Sequence, residues 1–258
     1  MTNPGLNISD ERSSAEMLGL LSEQLHLWIV PISGPLDPSW VAANEVILSE
    51  EERGRHRRYR RASDRDLFLA AHAVVRHVLS RYASIPPGEW VFETNQYGRP
   101  EIANLGVPRG LRFNLSHTDG MIALIVHDEV DTGVDVERVG RLDDLHSVSK
   151  TVFADSERSD FLALSEADQT ERFYRLWTLK EAFIKAKGMG LSLPLKDFWF
   201  ESVGPSSVTF SCREEVEPDP AAWHFTIAQP SPHHRLATAC RSGSDRHPRK
   251  VESLSISL

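Results

Sequence analysis

FYRLWTLKEAFIKAKGMG, residues Phe173–Gly190, reads as a single amphipathic helix. Helix formers fill it, proline is absent until Pro194, and Gly188 and Gly190 follow the last periodic residue as stop signals. Leu176, Leu179, Phe183 and Ala186 recur at the three-and-four spacing of one buried stripe. Trp177, Glu181 and Lys185 are each four apart and stack on a second face. As a solvated Glu–Lys pair, Glu181 and Lys185 would add only about 0.2–0.5 kcal/mol to the helix. Lys180 lies half a step round, beside Leu176, Phe183 and Ile184, and a cation at the rim of a core needs an anion to meet.

The 258 residues are enough to bury a sizeable core, as one large domain or two small ones. A net charge of −8 gives no global positive field to attract phosphate backbones, which argues against a nucleic-acid partner. Two cysteines, Cys212 and Cys240, make neither a disulfide framework nor a metal cluster. They fit a reducing compartment, and no apolar run approaches the ~18 residues of a membrane helix. A soluble cytoplasmic protein with no membrane partner is expected.

Working outward, the most local anomaly is basic. Arg53, Arg55, Arg57, Arg58, Arg60, Arg61 and Arg65 crowd one short stretch of an acidic chain. The stretch reads either as an exposed helix face or as an anion site, since guanidinium forks match phosphate geometry. Leu67–Tyr82 follows as a strongly apolar helix. Its His72 and His77 are five apart, wrong for a shared metal face, so both read as packing or surface residues.

Leu25–Val30, Trp90–Thr94, Met121–Val126 and Thr132–Glu137 have strand composition. So do Leu191–Phe200, Val208–Cys212, His224–Ala228 and Leu236–Cys240. In Thr132–Glu137, Val134 and Val136 share one face while Gly133, Asp135 and Glu137 share the other. Two carboxylates two residues apart stand roughly 6–7 Å apart at the backbone and can converge on one hard cation. Gly133 beside them leaves room for a ligand.

Three groups occur in order: Gly98-Arg99-Pro100; Phe113–His117 with Gly133-x-Asp135-x-Glu137; and Trp177-x-x-Lys180-Glu181-x-x-x-Lys185, running on through Gly188-x-Gly190-Leu-Ser-Leu-Pro194. Together they resemble the 4'-phosphopantetheinyl transferases, specifically the large single-chain type that activates nonribosomal peptide and polyketide synthases. The resemblance covers roughly Leu25 to Cys240. It implies an α+β fold, a pseudo-dimer of two similar halves, each a small antiparallel sheet packed on a long helix, with coenzyme A between them. The expected divisions are a flexible 1–15, an N-terminal half 16–118 with nucleotide contacts, a C-terminal half 119–240 with metal and catalytic residues, and a polar tail 241–258.

By the same resemblance, Asp135, Glu137 and Glu181 match the metal-binding acids, for Mg²⁺. For the chemistry, Glu181 beside the metal is the first choice of general base, directly or through a water, and Lys185 one turn on would stabilise phosphate charge or protonate the leaving group. Arg53, Arg55, Gly98, Arg99, Pro100, Ser116, His117, Lys180 and Lys185 match the coenzyme A contacts. Glu52 stands where a relative has a base. The implied activity is transfer of the phosphopantetheine arm of coenzyme A to a serine of an acyl or peptidyl carrier protein, by a monomer. Fatty acid, polyketide, peptide and lysine-pathway carriers stay open. Carrier docking is expected around Val148–Phe153 with Arg141 and Lys150. The alternatives are a Mg²⁺-dependent coenzyme A pyrophosphohydrolase and a noncatalytic carrier-binding module.

Overall fold

The computed structural model describes residues 18, 24–140, 144–204, 207–242, 250–255 and 258. Two compact units emerge, and the division falls between Glu129 and Val130, after the apolar strand Met121–Asp128. The sequence had suggested a division after Thr118. A short turn, Asn95–Arg99, belongs to the C-terminal unit although its neighbours on both sides belong to the N-terminal one.

The N-terminal unit runs β1 (Gln24–Pro31), α1 (Pro38–Glu45), α2 (Glu50–His56), α3 (Ala62–Leu79), β2 (Phe92–Thr94), β3 (Pro100–Ile102), β4 (Leu111–Thr118) and β5 (Met121–Asp128). The first two helices start on capping residues. Asp37 accepts from the Ser39 and Trp40 amides ahead of α1, and Ser49 with Glu52 closes a reciprocal capping box on α2. β5 pairs antiparallel with both β1 and β4. Leu69, Val74 and Val78 of α3 pack with Trp28, Val30, Ile122 and Leu124 of that sheet as one core. The apolar helix expected at Leu67–Tyr82 therefore exists, starting five residues earlier.

His77 of α3 packs as the sequence suggested, with Nε2 2.8 Å from Asn44 Oδ1. The Asn44 amide donates to the Trp40 carbonyl, so the amide oxygen faces the ring and fixes the Nε2–H tautomer. Burial pushes the His77 pKa down from 6.5 to about 4. A depressed histidine stabilises the fold fully above pH 6.5, and that contribution is lost as pH falls toward 4. Between pH 7.5 and 5 the loss is about 2 kcal/mol. Thermal melts of wild type and His77→Gln over that range are expected to diverge by several degrees at the acid end; parallel curves would refute it.

The C-terminal unit contains β6 (Thr132–Arg138), α4 (Leu145–Val152), α5 (Asp155–Leu162), α6 (Glu166–Lys187), β7 (Phe198–Gly204), β8 (Ser207–Cys212), β9 (Trp223–Ser231) and β10 (His234–Arg241). The order β6-β10-β9 makes an antiparallel sheet, and β7-β8 a separate hairpin. The helix read from Phe173 starts seven residues earlier, because Ser165 caps it by accepting the Asp168 amide. It ends as expected at Gly188, which adopts a left-handed φ of 64° and returns its N–H to the Ile184 and Lys185 carbonyls. Leu176, Leu179, Phe183 and Ala186 are all buried against Ala237 and Ala239 of β10 and an aromatic group including Phe198, Phe200 and Trp223.

Two sequence expectations change here. Leu191–Phe200 is not one strand: two short 3-10 turns, Gly190–Ser192 and Leu195–Asp197, precede β7. Gly190 at φ 55° and Pro194 deny the segment an extended run. Within the polar tail, β11 (Lys250–Ser255) returns to the N-terminal unit and pairs in parallel with β1, so that sheet is mixed rather than wholly antiparallel.

Candidate active site

In the C-terminal unit, β6 lies along α6, and the two backbones approach closely at Gly133. A side chain at Gly133 would collide with the Ala182 carbonyl and the Ala186 amide. The glycine therefore admits the helix backbone, and the space the sequence reserved for a ligand is filled by α6. That contact sets the register of everything beyond it.

Asp135 and Glu137 follow Gly133 on the helix-facing side. Asp135 is 3% exposed, and Lys185 Nζ donates to its Oδ1 at 2.7 Å. Trp177 Nε1 donates to Glu137 Oε1 at 3.2 Å, which gives the motif tryptophan a role the sequence did not assign. Between those two helix residues lies Glu181. Burial, then the Asp135 carboxylate and to a smaller extent Glu137, push the Glu181 carboxyl up to about 7, against the pull of Lys185. A carboxyl whose protonation is raised by two neighbouring carboxylates marks a site short of positive charge.

The donor set suits magnesium, a hard cation that takes oxygen ligands. Among the described residues no three acids stand close enough to enclose an ion by themselves. Mg²⁺ does not require such a cage. It normally takes one or two carboxylates and completes its octahedron with waters and substrate phosphates. One or two of Asp135, Glu137 and Glu181 would hold it, together with substrate phosphates.

Lys180 has a different place from the one the resemblance implies. It is fully buried, donating from Nζ to the Leu195 carbonyl (2.9 Å), the Phe198 carbonyl (2.7 Å) and Glu157 Oε2 (2.8 Å). Glu157, 3% exposed, also accepts the Ala154 and Phe200 amides. Burial pushes the Glu157 carboxyl up and the Lys180 ammonium down, and their mutual attraction opposes both. The anion expected for Lys180 exists, and Lys180 faces the core rather than a ligand. Local sequence could not single out Glu157, 23 residues away and on another helix.

Arg99 and Gly98 lie in the turn that closes the end of α6. Asn95 Oδ1 accepts the Tyr97 and Arg99 amides, and its Nδ2 donates to the Gly188 carbonyl at 3.0 Å. Arg99 donates to the Ala186 carbonyl at 3.3 Å. Both side chains satisfy carbonyls at a helix C-terminus, where positive charge is favoured. Gly98, at φ 87°, makes the turn.

The remaining residues belong to the N-terminal unit with Pro100, the first residue of β3. Ser116 and His117 are adjacent on β4, Ser116 buried and His117 exposed. Arg53 turns inward, donating to the Leu48 carbonyl. Arg55 is exposed, its guanidinium carbon 5.5 Å from the centre of the Phe68 ring. Glu52, the acid in a basic neighbourhood, accepts from the buried Arg76 at 2.5 Å. That explains an acid among arginines: Arg76 needs a counter-charge. In the expected docking region Val152 and Phe153 join the core and Val148 packs against it, leaving Lys150 exposed. Arg141 lies outside the described residues.

A family model described as the 4'-phosphopantetheinyl transferase superfamily matches residues 131–240, and one described as 4'-phosphopantetheinyl transferase, N-terminal, matches residues 34–129. The chain is 31% identical to 4'-phosphopantetheinyl transferase HetI of Nostoc sp. over 68% of its own length and 73% of HetI. The chain belongs to the 4'-phosphopantetheinyl transferase superfamily. It is also 36% identical to 4'-phosphopantetheinyl transferase Sfp of Bacillus subtilis, over 58% of this transferase-family chain and 65% of Sfp. Among solved structures, a Bacillus anthracis holo-(acyl-carrier-protein) synthase in complex with CoA (3',5'-ADP) aligns at 19% identity and a TM-score of 0.37, over 44% of this chain and 98% of that one. No helix among the described residues is long and apolar enough to cross a membrane.

Proposed function

We propose that this protein transfers the 4'-phosphopantetheine arm of coenzyme A to a serine of an apo carrier protein, acyl or peptidyl, and releases adenosine 3',5'-bisphosphate. The observation that carries the reading is the gathering of Asp135, Glu137 and Glu181 under one lysine in a chain of this superfamily. Bound magnesium would offset the negative charge that builds on the coenzyme A pyrophosphate. The carrier serine Oγ attacks the phosphorus on the pantetheine side, and the bridging P–O bond breaks with its electron pair leaving on the adenosine 5'-phosphate. Glu181, directly or through a water, takes the serine proton. Lys185, one turn along α6, faces the leaving charge. Arg55, Ser116 and His117 are the coenzyme A contacts we assign in the N-terminal unit. Lys180 and Arg53 are not assigned that role, because their donors are directed to internal acceptors.

Intact-mass measurement on apo carriers incubated with the protein, coenzyme A and Mg²⁺ tests this. Each competent carrier is expected to gain one phosphopantetheine arm, and EDTA to abolish the gain. Coenzyme A cleaved with no carrier present would instead favour the pyrophosphohydrolase. Binding without either reaction would leave a noncatalytic module.

A further inference from the structure

The last carbonyls of a helix have no partner along its own axis. At the end of α6 the Gly188 cap returns one N–H, shared between the Ile184 carbonyl at 3.0 Å and the Lys185 carbonyl at 3.1 Å. The turn Asn95–Arg99, which belongs to the same unit, answers further carbonyls from outside the helix. Arg99 donates to the Ala186 carbonyl, and Asn95 Nδ2 donates to the Gly188 carbonyl. A side chain at Gly188 would strike the Arg99 guanidinium, so the turn lies directly against the cap.

Asn95 does not need its bond to Gly188 in order to fold its own turn. The Asn95 N–H donates to the Arg99 carbonyl at 3.0 Å, and the Gly98 N–H to the Asn95 carbonyl at 2.9 Å. Asn95 Oδ1 accepts the Tyr97 and Arg99 amides besides, as an Asx turn does. The Nδ2 group is left over from this closure, and it reaches a carbonyl 93 residues away in sequence. Gly188 is thus gripped on both sides: its N–H faces back to Lys185 and its carbonyl faces Asn95.

We propose that Asn95 is a positioning residue for Lys185: capping α6 from a distant turn, it keeps the last helical turn closed and so fixes where the Lys185 ammonium stands. The inference rests on the transferase reading, in which Lys185 faces the leaving charge. Helix ends open more readily than helix centres. Opening that starts at Gly188 reaches Lys185 within one turn, because Gly188 donates to its carbonyl. A lysine stem is long and flexible, so the backbone at its base decides which acceptors the ammonium can meet. In the closed helix Nζ donates to Asp135 Oδ1 at 2.7 Å, beside Glu181.

The full-length protein is assayed with coenzyme A, Mg²⁺ and an apo carrier, and hydrogen exchange of the Gly188 amide is followed by NMR. Asn95→Ser keeps an oxygen for the turn amides but is too short to reach the Gly188 carbonyl. Its Gly188 amide is expected to exchange about 5-fold faster. Its kcat is expected to fall about 10-fold, with KM for coenzyme A and for carrier within about 2-fold of wild type. In a Lys185→Met background the same substitution should change kcat by less than about 2-fold, because the group it positions is gone. Faster exchange with unchanged kcat in Asn95→Ser would overturn the proposal, and so would unchanged exchange. A further loss of about 10-fold in the Lys185→Met background would overturn it too, since Asn95 would then act on something other than Lys185. Wild-type protein that modifies no carrier would instead remove the transferase reading beneath it, while exchange at Gly188 would still report the tie itself.

Discussion

In the Glu181→Gln variant, kcat/KM for carrier modification is expected to fall roughly 10²–10⁴-fold, the range for loss of a general base, while the melting temperature of the metal-free protein rises. The two effects have one cause. Glu181 is held among Asp135 and Glu137 with its carboxyl raised to about 7 from an ordinary 4.5. Below pH 4.5 the group is protonated in folded and unfolded chains alike and the repulsion has no effect. As pH rises from there, the unfolded chain ionises first, so the raised value works against the fold. At pH 7 and above the penalty is about 3 kcal/mol. Glutamine keeps the shape and removes that charge. It also removes an anionic ligand and the proton acceptor. Turnover at the wild-type level would deny Glu181 both roles. A lower melting temperature would deny the electrostatic account, whatever the activity.

Replacing Lys180 by methionine is expected to cost about 3–5 kcal/mol, the cost of stranding one member of a buried ion pair. The loss would be read as a reduced urea midpoint at constant m-value. Methionine fills the aliphatic volume, but Glu157 is left with two backbone amides and no counter-charge, and the Leu195 and Phe198 carbonyls lose their donor. Lys180→Met/Glu157→Gln should recover a large part of the loss, since no bare charge then remains. Its affinity for coenzyme A should match wild type. A 10-fold weaker coenzyme A affinity in that folded double variant would return Lys180 to the ligand contacts the motif implied. No recovery in the double variant would mean that the carbonyl contacts, not the charge pair, hold the structure.

The anomaly of Lys180 was visible in the helical wheel, because a lysine on the Leu176–Phe183 side of α6 has no access to water. Which anion met it was not visible, because Glu157 reaches it across a chain separation that no local periodicity encodes. The same division runs through the whole protein. Sequence alone determined the long helix and its buried stripe, the glycine stop at Gly188, the paired carboxylates of β6 and the family motifs, since each depends on spacings of a few residues along one element. Only the tertiary structure decided what those spacings face. Gly133 admits a helix rather than a ligand, Arg99 closes the end of α6, Glu52 answers the buried Arg76, and the serine-rich tail supplies a strand beside β1. Partner choice for a charge or an edge strand depends on which distant segment folding brings alongside, and on the desolvation that follows, neither of which is written in the spacing of neighbouring residues.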